Sequence, residues 1–248
     1  MQHYFALSKN LDLSISDLHH INNVMRMKIG DQIIIIYNKT KNFVELTEIK
    51  PVGIKFKIIK SESFTRENPE IVLAVSLVNE QKWDLILQKA TELGVNQIIP
   101  IVFERTIIKL DDKKLNQKQI RWQKIVKEAA EQSHRFELPI ISNLLSYHEL
   151  KNISGDLKII CSTKEKQTNL KDILKNNLNC DRIIVVIGPE GGLTDLEEEK
   201  LITHGFQSIT LGNNILRVET VPMFILSIFN YEMMRWNYVS FKRKRFFW

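Results

Sequence analysis

Cysteine, glycine and proline are scarce in this chain. Its 248 residues include 2 Cys, 9 Gly and 6 Pro. Cys161 and Cys180 stand in no CxxC or Cys/His spacing, which excludes a disulfide framework and leaves a zinc site without ligands. The low Gly and Pro content excludes collagen-like and low-complexity chains. We therefore expect a globular protein with no metal, and the cysteine usage fits a reducing, cytoplasmic location.

Long apolar runs and a secretion signal are also missing. The longest apolar candidate, Val221 to Phe229, is far shorter than the roughly 18 residues that a membrane helix needs. The N-terminus, MQHYFALSKNLDLS, has no basic patch followed by an apolar run. We expect no membrane partner.

Basic residues exceed acidic ones. Subtracting 29 Asp and Glu from 35 Lys and Arg leaves a net charge of +6. A positive balance favours a polyanionic partner such as nucleic acid. The alternative is a bias of nucleotide composition, because the chain is rich in Lys, Ile and Asn.

The first part of the chain resembles a small β-barrel. Short strands are predicted at residues 3–7, 32–37, 43–49 and 54–59. A helix interrupts them, with Ser16 and Asp17 as N-caps and Gly30 at its end. The polar stretch SESFTRENP, residues 61–69, is the best linker, and we place the domain boundary between residues 68 and 69.

The rest of the chain alternates buried strands with helices, which predicts an α/β domain with a parallel sheet over residues 69–240. A basic aromatic tail, residues 241–248, follows. The predicted helices cover residues 81–93 and 117–136 and begin again near Thr194 and Val221. Gln132 falls on an apolar stripe of the second helix, so it either caps a neighbouring loop or faces a ligand. The predicted strands are at residues 71–78, 97–103, 157–163, 182–188 and 207–211.

A glycine-rich turn follows the strand RIIVVIG. The turn reads GPEGG over residues 188–192, and Thr194 with Glu197 forms a capping box for the next helix. Ligands bind at such turns in open α/β sheets. The acidic Glu190 disfavours a nucleotide phosphate, and neither GxxxxGK[ST] nor GxGxxG occurs anywhere. A purely structural turn is the alternative.

A second loop, LGNNILRVET at residues 211–220, follows the last predicted strand. Arg217 and Glu219 place opposite charges among Ile, Leu and Val. Isolated burial of either charge would be costly, so the two are either a structural ion pair or functional groups.

Further segments accompany these two loops. They are QKATELGV at residues 88–95, EAAEQS at residues 128–133 with Arg135, and His20, Val24, Met25, Arg26, Gly30 and Asp31. Together with the GPEGG and LGNNILRVET loops, they resemble the bacterial small-subunit ribosomal RNA uracil-N3 methyltransferases of the SPOUT superfamily. Val218 stands where that family usually has a small hydroxylic residue, and Pro222 enters the first turn of the last helix.

The resemblance implies a PUA-like RNA-binding β-barrel over residues 1–68 and a SPOUT domain with a deep trefoil knot. It also implies a homodimer that binds S-adenosylmethionine (SAM) and methylates N3 of a uridine in 16S ribosomal RNA. The implied cofactor-binding residues are Ser162, Thr163, Gly188, Glu190, Gly191, Leu211, Gly212, Ile215 and Leu216.

For catalysis, the resemblance points to Arg217 and Glu219. Arg217 would stabilise negative charge on the uracil oxygens, and Glu219 would orient the guanidinium or accept the N3 proton. The candidate RNA-binding residues are His19, Asn23, Arg26, Lys89 and Arg135, with Lys82, Arg105 and the tail as further basic positions. For each one a solvated surface position is the alternative. The competing functions are methylation of another RNA and a noncatalytic RNA-binding or ribosome assembly factor.

Overall fold

The computed structural model describes residues 1–66, 68–108, 110–177 and 180–245, with only the backbone of residues 112, 176 and 234–245. The chain divides into two compact units. One comprises Met1–Glu67 and Lys127–Leu138, and the other comprises Asn68–Val126 and Pro139–Trp248. The last three residues of the predicted tail, and the side chains of the rest of it, lie outside the described residues.

The first unit is built on a four-stranded sheet in the order β1-β2-β3-β4, which confirms the predicted N-terminal β domain. Strand β1 is parallel to β2, and the other pairs are antiparallel. Closure of this sheet into a barrel stays a prediction. The strands are β1 (Gln2–Phe5), β2 (Gln32–Tyr37), β3 (Thr40–Lys50) and β4 (Gly53–Ser63).

Two details of this unit differ from the predictions. Strand β4 runs to Ser63, so the first residues of the predicted linker are strand; β3 is long enough to pair Thr40 with Ser63. The N-cap of helix α1 (Ile15–His19) is Ser14, whose hydroxyl accepts a hydrogen bond from the Asp17 N–H, and not Ser16 or Asp17.

That helix is also shorter than predicted. A π-helical turn, His20–Val24, continues α1, and the helical run ends there instead of near Gly30. Arg26 has a φ of 50°, a left-handed conformation that a right-handed helix cannot continue. The helical run therefore ends before Gly30, because Arg26, which is not a glycine, adopts a left-handed conformation.

The second unit contains the predicted parallel sheet. Its order is β11-β9-β10-β5-β6-β7, with β8 also paired to β6, and these pairs are parallel. The two short strands β7 and β8 were not predicted. The strands are β5 (Glu70–Ser76), β6 (Gln97–Val102), β7 (Ile140–Ile141), β8 (Leu145–Ser146), β9 (Leu157–Cys161), β10 (Arg182–Ile187) and β11 (Gln207–Ile209).

Both faces of this sheet are buried. Along β5, Leu73 and Val75 belong to one apolar cluster, while Val72 and Ala74 belong to another on the opposite face. This alternation explains why the strands read as continuous apolar runs in the sequence. The helices are α2 (Glu80–Glu92), α3 (Asp112–Gln132), α4 (Leu170–Asn176), α5 (Asp195–Thr203) and α6 (Thr220–Arg245), with a 3-10 helix at Tyr147–Asn152.

Helix α3 corrects one functional expectation. It spans Asp112–Gln132 instead of residues 117–136, and Gln132 is its last residue and is exposed. His134, two residues later, has a φ of 57°, so the helix cannot continue to Phe136. Gln132 therefore does not lie on a buried stripe, and the prediction that it is a buried amide that needs a partner is wrong.

No helix in the described part of the chain is long and apolar enough to cross a membrane. Nor do the described residues include a group of three or more His, Cys, Asp or Glu side chains that could hold a metal ion.

Candidate active site

A cavity of about 350 Å³ lies where strands β9, β10 and β11 end. One loop from each strand lines it: the loop that begins at Ser162, the GPEGG loop that begins at Gly188, and the loop that begins at Thr210. The carboxyl ends of parallel strands meet at one edge of a sheet, which is the usual position of a ligand in open α/β folds. The volume falls in the range of small-molecule sites.

The structure brings together eight of the nine residues that the resemblance assigns to the cofactor. The exception is Gly191, which does not line the cavity; its carbonyl accepts a hydrogen bond of 2.7 Å from the Arg105 guanidinium. The eight are Ser162, Thr163, Gly188, Glu190, Leu211, Gly212, Ile215 and Leu216.

Backbone hydrogen bonds join the first and third loops. The Ser162 N–H donates to the Ile209 carbonyl at 3.0 Å, and the Thr210 N–H donates to the Thr168 carbonyl at 2.8 Å. The buried Ser162 hydroxyl in turn accepts a hydrogen bond from the Lys164 N–H at 3.1 Å. The two walls of the cavity are thus held to each other by main-chain contacts.

The GPEGG loop is shaped by its glycines and by the helix that follows. A Cβ on Gly188 would lie 3.1 Å from the side chain of Leu193, and Gly192 has a φ of 68°. Thr194 and Glu197 form the predicted capping box at the start of α5. Glu197 is fully buried and also accepts the Glu104 N–H at 2.8 Å, so this one carboxylate anchors the end of the loop.

The third loop turns at Gly212, whose φ is 112°. The loop needs a glycine at this position, because residues with a Cβ rarely adopt such a φ. Val218 is buried and forms part of the cavity wall with Val221. The residue that replaces the family's usual small hydroxylic one therefore contributes an apolar surface.

The charged groups near the cavity form an arrangement that the sequence did not predict. The Lys82 ammonium donates to the Glu190 carboxylate and lies 3.7 Å from Oε2 of Glu219. The hydrogen bond to Glu190 is the main cause of a raised pKa for Lys82. Glu219 does not line the cavity, and its Oε2 atom is buried and accepts no hydrogen bond.

Arg217 lines the same cavity and is exposed. No ion pair joins it to Glu219 among the described residues, so the structural alternative of an Arg217–Glu219 pair is wrong. Glu219 pairs with Lys82 instead. The guanidinium of Arg217 is thus a cationic group that no carboxylate of the described residues neutralises.

The position of Lys82 at this cavity was not predicted from the sequence. Asn79 caps α2 by accepting the Lys82 N–H, so Lys82 lies in the first turn after β5. Strand β5 is adjacent to β10 in the sheet. The Asn cap directly after a buried strand was the available signal, but it needs the strand order to become informative.

The candidate RNA-binding residues differ in exposure. His19, Asn23 and Arg26 are exposed on the first unit. Lys89 is bound to Glu92 on the same helix at 2.9 Å. Arg135 is partly buried, and this burial lowers its pKa to about 10.

Two family models match the chain. An RNA methyltransferase domain covers residues 66–230, and an RNA methyltransferase PUA domain covers residues 16–59. The ribosomal RNA small subunit methyltransferase E of Bacillus subtilis is 36% identical to this chain, and the match covers 94% of this chain and 97% of that protein. The chain belongs to the ribosomal RNA small subunit methyltransferase E family.

Solved structures of methyltransferases share the fold. The methyltransferase E of Neisseria gonorrhoeae, bound to SAM, is 28% identical with a TM-score of 0.81, over 92% of this chain and 96% of that one. A methyltransferase from Legionella pneumophila in complex with SAM is 25% identical with a TM-score of 0.85, over 94% and 98%. Membership of the methyltransferase E family therefore extends over both units of the chain.

Proposed function

We propose that this protein is a SAM-dependent methyltransferase that acts on N3 of a uridine in 16S ribosomal RNA. Family membership and the SAM-bound relatives support the cofactor and the RNA substrate. One structural observation carries the assignment: the loops after β9, β10 and β11 converge on one cavity that also contains an unneutralised arginine.

The cavity suits a cofactor that is held by backbone groups beside an apolar surface. Val218 and Val221 form an apolar wall, and the Glu190 carboxylate of the GPEGG loop is already paired with Lys82. Gly188 lines the cavity with backbone atoms only, and a Cβ at this position would press against Leu193 at 3.1 Å. When bound, SAM supplies a methyl group on a positively charged sulfur. We propose that the eight cavity residues named above hold it, mainly through backbone groups.

We propose Arg217 as the catalytic residue. Attack of uracil N3 on the methyl carbon requires loss of the N3 proton, and the resulting negative charge spreads onto O2 and O4. A guanidinium at the cavity stabilises that charge in the transition state. Glu219 does not contact Arg217, so it does not orient the guanidinium. We propose that Glu219, together with Glu190, holds the Lys82 ammonium at the cavity. The N3 proton passes to water, because Glu219 does not line the cavity and Arg217 is exposed.

Replacement of Arg217 tests this assignment. In Arg217→Ala we expect the rate of methyl transfer to 16S RNA to fall by about 10²–10³-fold, as for removal of other charge-stabilising donors. The affinity for SAM, measured by calorimetry, should change by less than about threefold, because the expected cofactor contacts are backbone groups. Equal losses of transfer rate and of SAM affinity would contradict the catalytic role.

We propose a homodimer, the trefoil knot and a cytoplasmic location as further properties. The exposed aromatic side chains of Phe224 and Tyr231 on α6 support an interface between copies. The strand order β11-β9-β10 supports the knot, because the chain passes from β10 across β9 to reach β11. We keep residues 1–68, 69–240 and 241–248 as the proposed functional division. Sedimentation of the purified protein tests the dimer, which a monomer at micromolar concentration would exclude.

A further inference from the structure

A second cavity, of about 270 Å³, lies at the other end of α5 from the GPEGG loop. It is formed by the 3-10 helix Tyr147–Asn152 and by the end of α5, and it shares no lining residue with the SAM cavity. We name it the α5 end cavity. Its lining residues are Tyr147, His148, Lys151, Lys200, Leu201 and His204.

The lining of the α5 end cavity is cationic. It includes two lysines and two histidines and no carboxylate. The neighbouring Glu149 is engaged elsewhere, because its Oε2 accepts the Ser146 N–H at 2.8 Å as part of a capping box. The carbonyls at the end of α5 by themselves favour a cation, by about 0.3–1 kcal/mol. Lys200 in the last turn of α5 follows that preference, whereas Lys151 comes from the 3-10 helix. Two ammonium groups on one cavity whose lining includes no carboxylate point to an anionic ligand.

An aromatic surface accompanies the charges. The His148 ring lies 3.9 Å from the buried Tyr147 ring and is itself in an exposed residue. The Lys200 ammonium donates to the Tyr147 hydroxyl at 3.5 Å, which holds its charge beside the rings. Proteins that bind single-stranded RNA combine an aromatic surface, on which a base stacks, with basic side chains that contact a phosphate.

The distance between the two cavities suits a polynucleotide. Helix α5 has nine residues and joins the end of the GPEGG loop to the α5 end cavity. At a rise of 1.5 Å per residue the two ends are about 13 Å apart. One RNA strand whose uridine reaches the methyl group of SAM at the first cavity can therefore place a nearby phosphate at the other end of the same helix.

We propose that the α5 end cavity binds a backbone phosphate of the RNA substrate, with Lys151 and Lys200 as the phosphate contacts and His148 as a stacking surface. The inference rests on the proposed RNA methyltransferase function and adds a substrate-binding site outside the catalytic cavity.

The test compares two double variants with the same loss of charge. Lys151→Met/Lys200→Met removes the cationic lining. The matched control, Lys171→Met/Lys175→Met, removes two charges from exposed positions of α4. Binding to a 16S ribosomal RNA transcript is measured from 50 to 300 mM salt. We expect the cavity variant to lower the slope of log K against log salt by about 0.7–0.9, which is the contribution of one phosphate contact, and the control to change it much less.

Three results would decide against the site. Equal slopes and affinities for the two double variants would overturn it while leaving the proposed function intact. RNA binding by the unmodified protein that does not depend on salt would overturn both. If the unmodified protein binds inorganic phosphate at this cavity but the cavity variant binds RNA normally, the cavity is a site for a small anion and not for RNA. A His148→Ala variant is expected to weaken RNA binding at least threefold without a change in the salt slope, and SAM affinity should stay unchanged in every variant.

Discussion

Removal of the Glu197 carboxylate should destabilise the second unit and loosen the GPEGG loop. The Glu197 side chain is fully buried and accepts three hydrogen bonds. They come from the Glu104 N–H at 2.8 Å, the Thr194 N–H at 2.8 Å and the Thr194 hydroxyl at 3.1 Å. Glu197→Ala leaves both N–H groups without this acceptor. Each unpaired group costs about 1–3 kcal/mol, and because Glu104 is exposed to water we expect a total of about 2–4 kcal/mol.

Thermal and urea unfolding measure this loss. For a chain of this size, each kcal/mol lowers the melting temperature by about 2–4 °C, so Glu197→Ala should melt roughly 4–16 °C below the unmodified protein. Glu199→Ala is the matched control, since Glu199 is on the same helix and exposed. Its stability should change by no more than about 0.5 kcal/mol. SAM affinity should fall in Glu197→Ala alone. The reasoning is refuted if the two variants unfold together.

Two other predictions concern the backbone and pH. Gly212→Ala forces a residue with a Cβ to a φ of 112°, a strain of about 1–3 kcal/mol, and should weaken SAM binding about tenfold or more in calorimetry. Gly53→Ala, which has open space and no left-handed φ, should bind SAM normally. Burial, followed by the nearby charges of His134 and Lys41, lowers the pKa of His3 to about 4. The imidazole therefore binds its proton at a higher pH in the unfolded chain than in the folded protein, so stability falls, by at most about 3 kcal/mol, as the pH drops from 6.5 to 4. Urea unfolding of His3→Gln should lack this part of the pH dependence, and an unchanged dependence would contradict the assignment.

The sheet of the second unit was predictable because its strands are buried on both faces. Continuous apolar runs such as residues 71–75 leave a parallel sheet between helices as the simplest arrangement. The two-residue strands β7 and β8 carry too few residues for any periodic signal. The end of α3 depends on the left-handed backbone conformation of His134. A histidine in the sequence does not indicate that conformation, so the helix end could not be predicted.

The cavity was partly predictable from its loops. GPEGG and LGNNILRVET each follow a strand, and parallel strands bring such loops to one edge. The charges around the cavity were not predictable. An ion pair between Arg217 and Glu219 was one of the two alternatives in the sequence. In the structure Glu219 pairs with Lys82, which lies more than a hundred residues earlier in the chain. That contact depends on the order of β5 and β10 in the sheet, which local patterns do not determine.

The α5 end cavity shows the same dependence on long-range packing. Lys151 and Lys200 are far apart in the chain and each resembles an ordinary surface lysine in sequence. Only the packing of the 3-10 helix against α5 places them around one cavity. Its cationic character is therefore a property of the folded second unit.

Nucleoside mass spectrometry after methyl transfer tests the central claim most directly. Purified protein and SAM are incubated with assembled small ribosomal subunits and, separately, with a 16S RNA transcript, and the modified base is mapped. We expect 3-methyluridine at a single uridine, and its loss with Arg217→Ala. A methyl group on a ribose or on another base, or no RNA methylation by protein that binds SAM, would contradict the account.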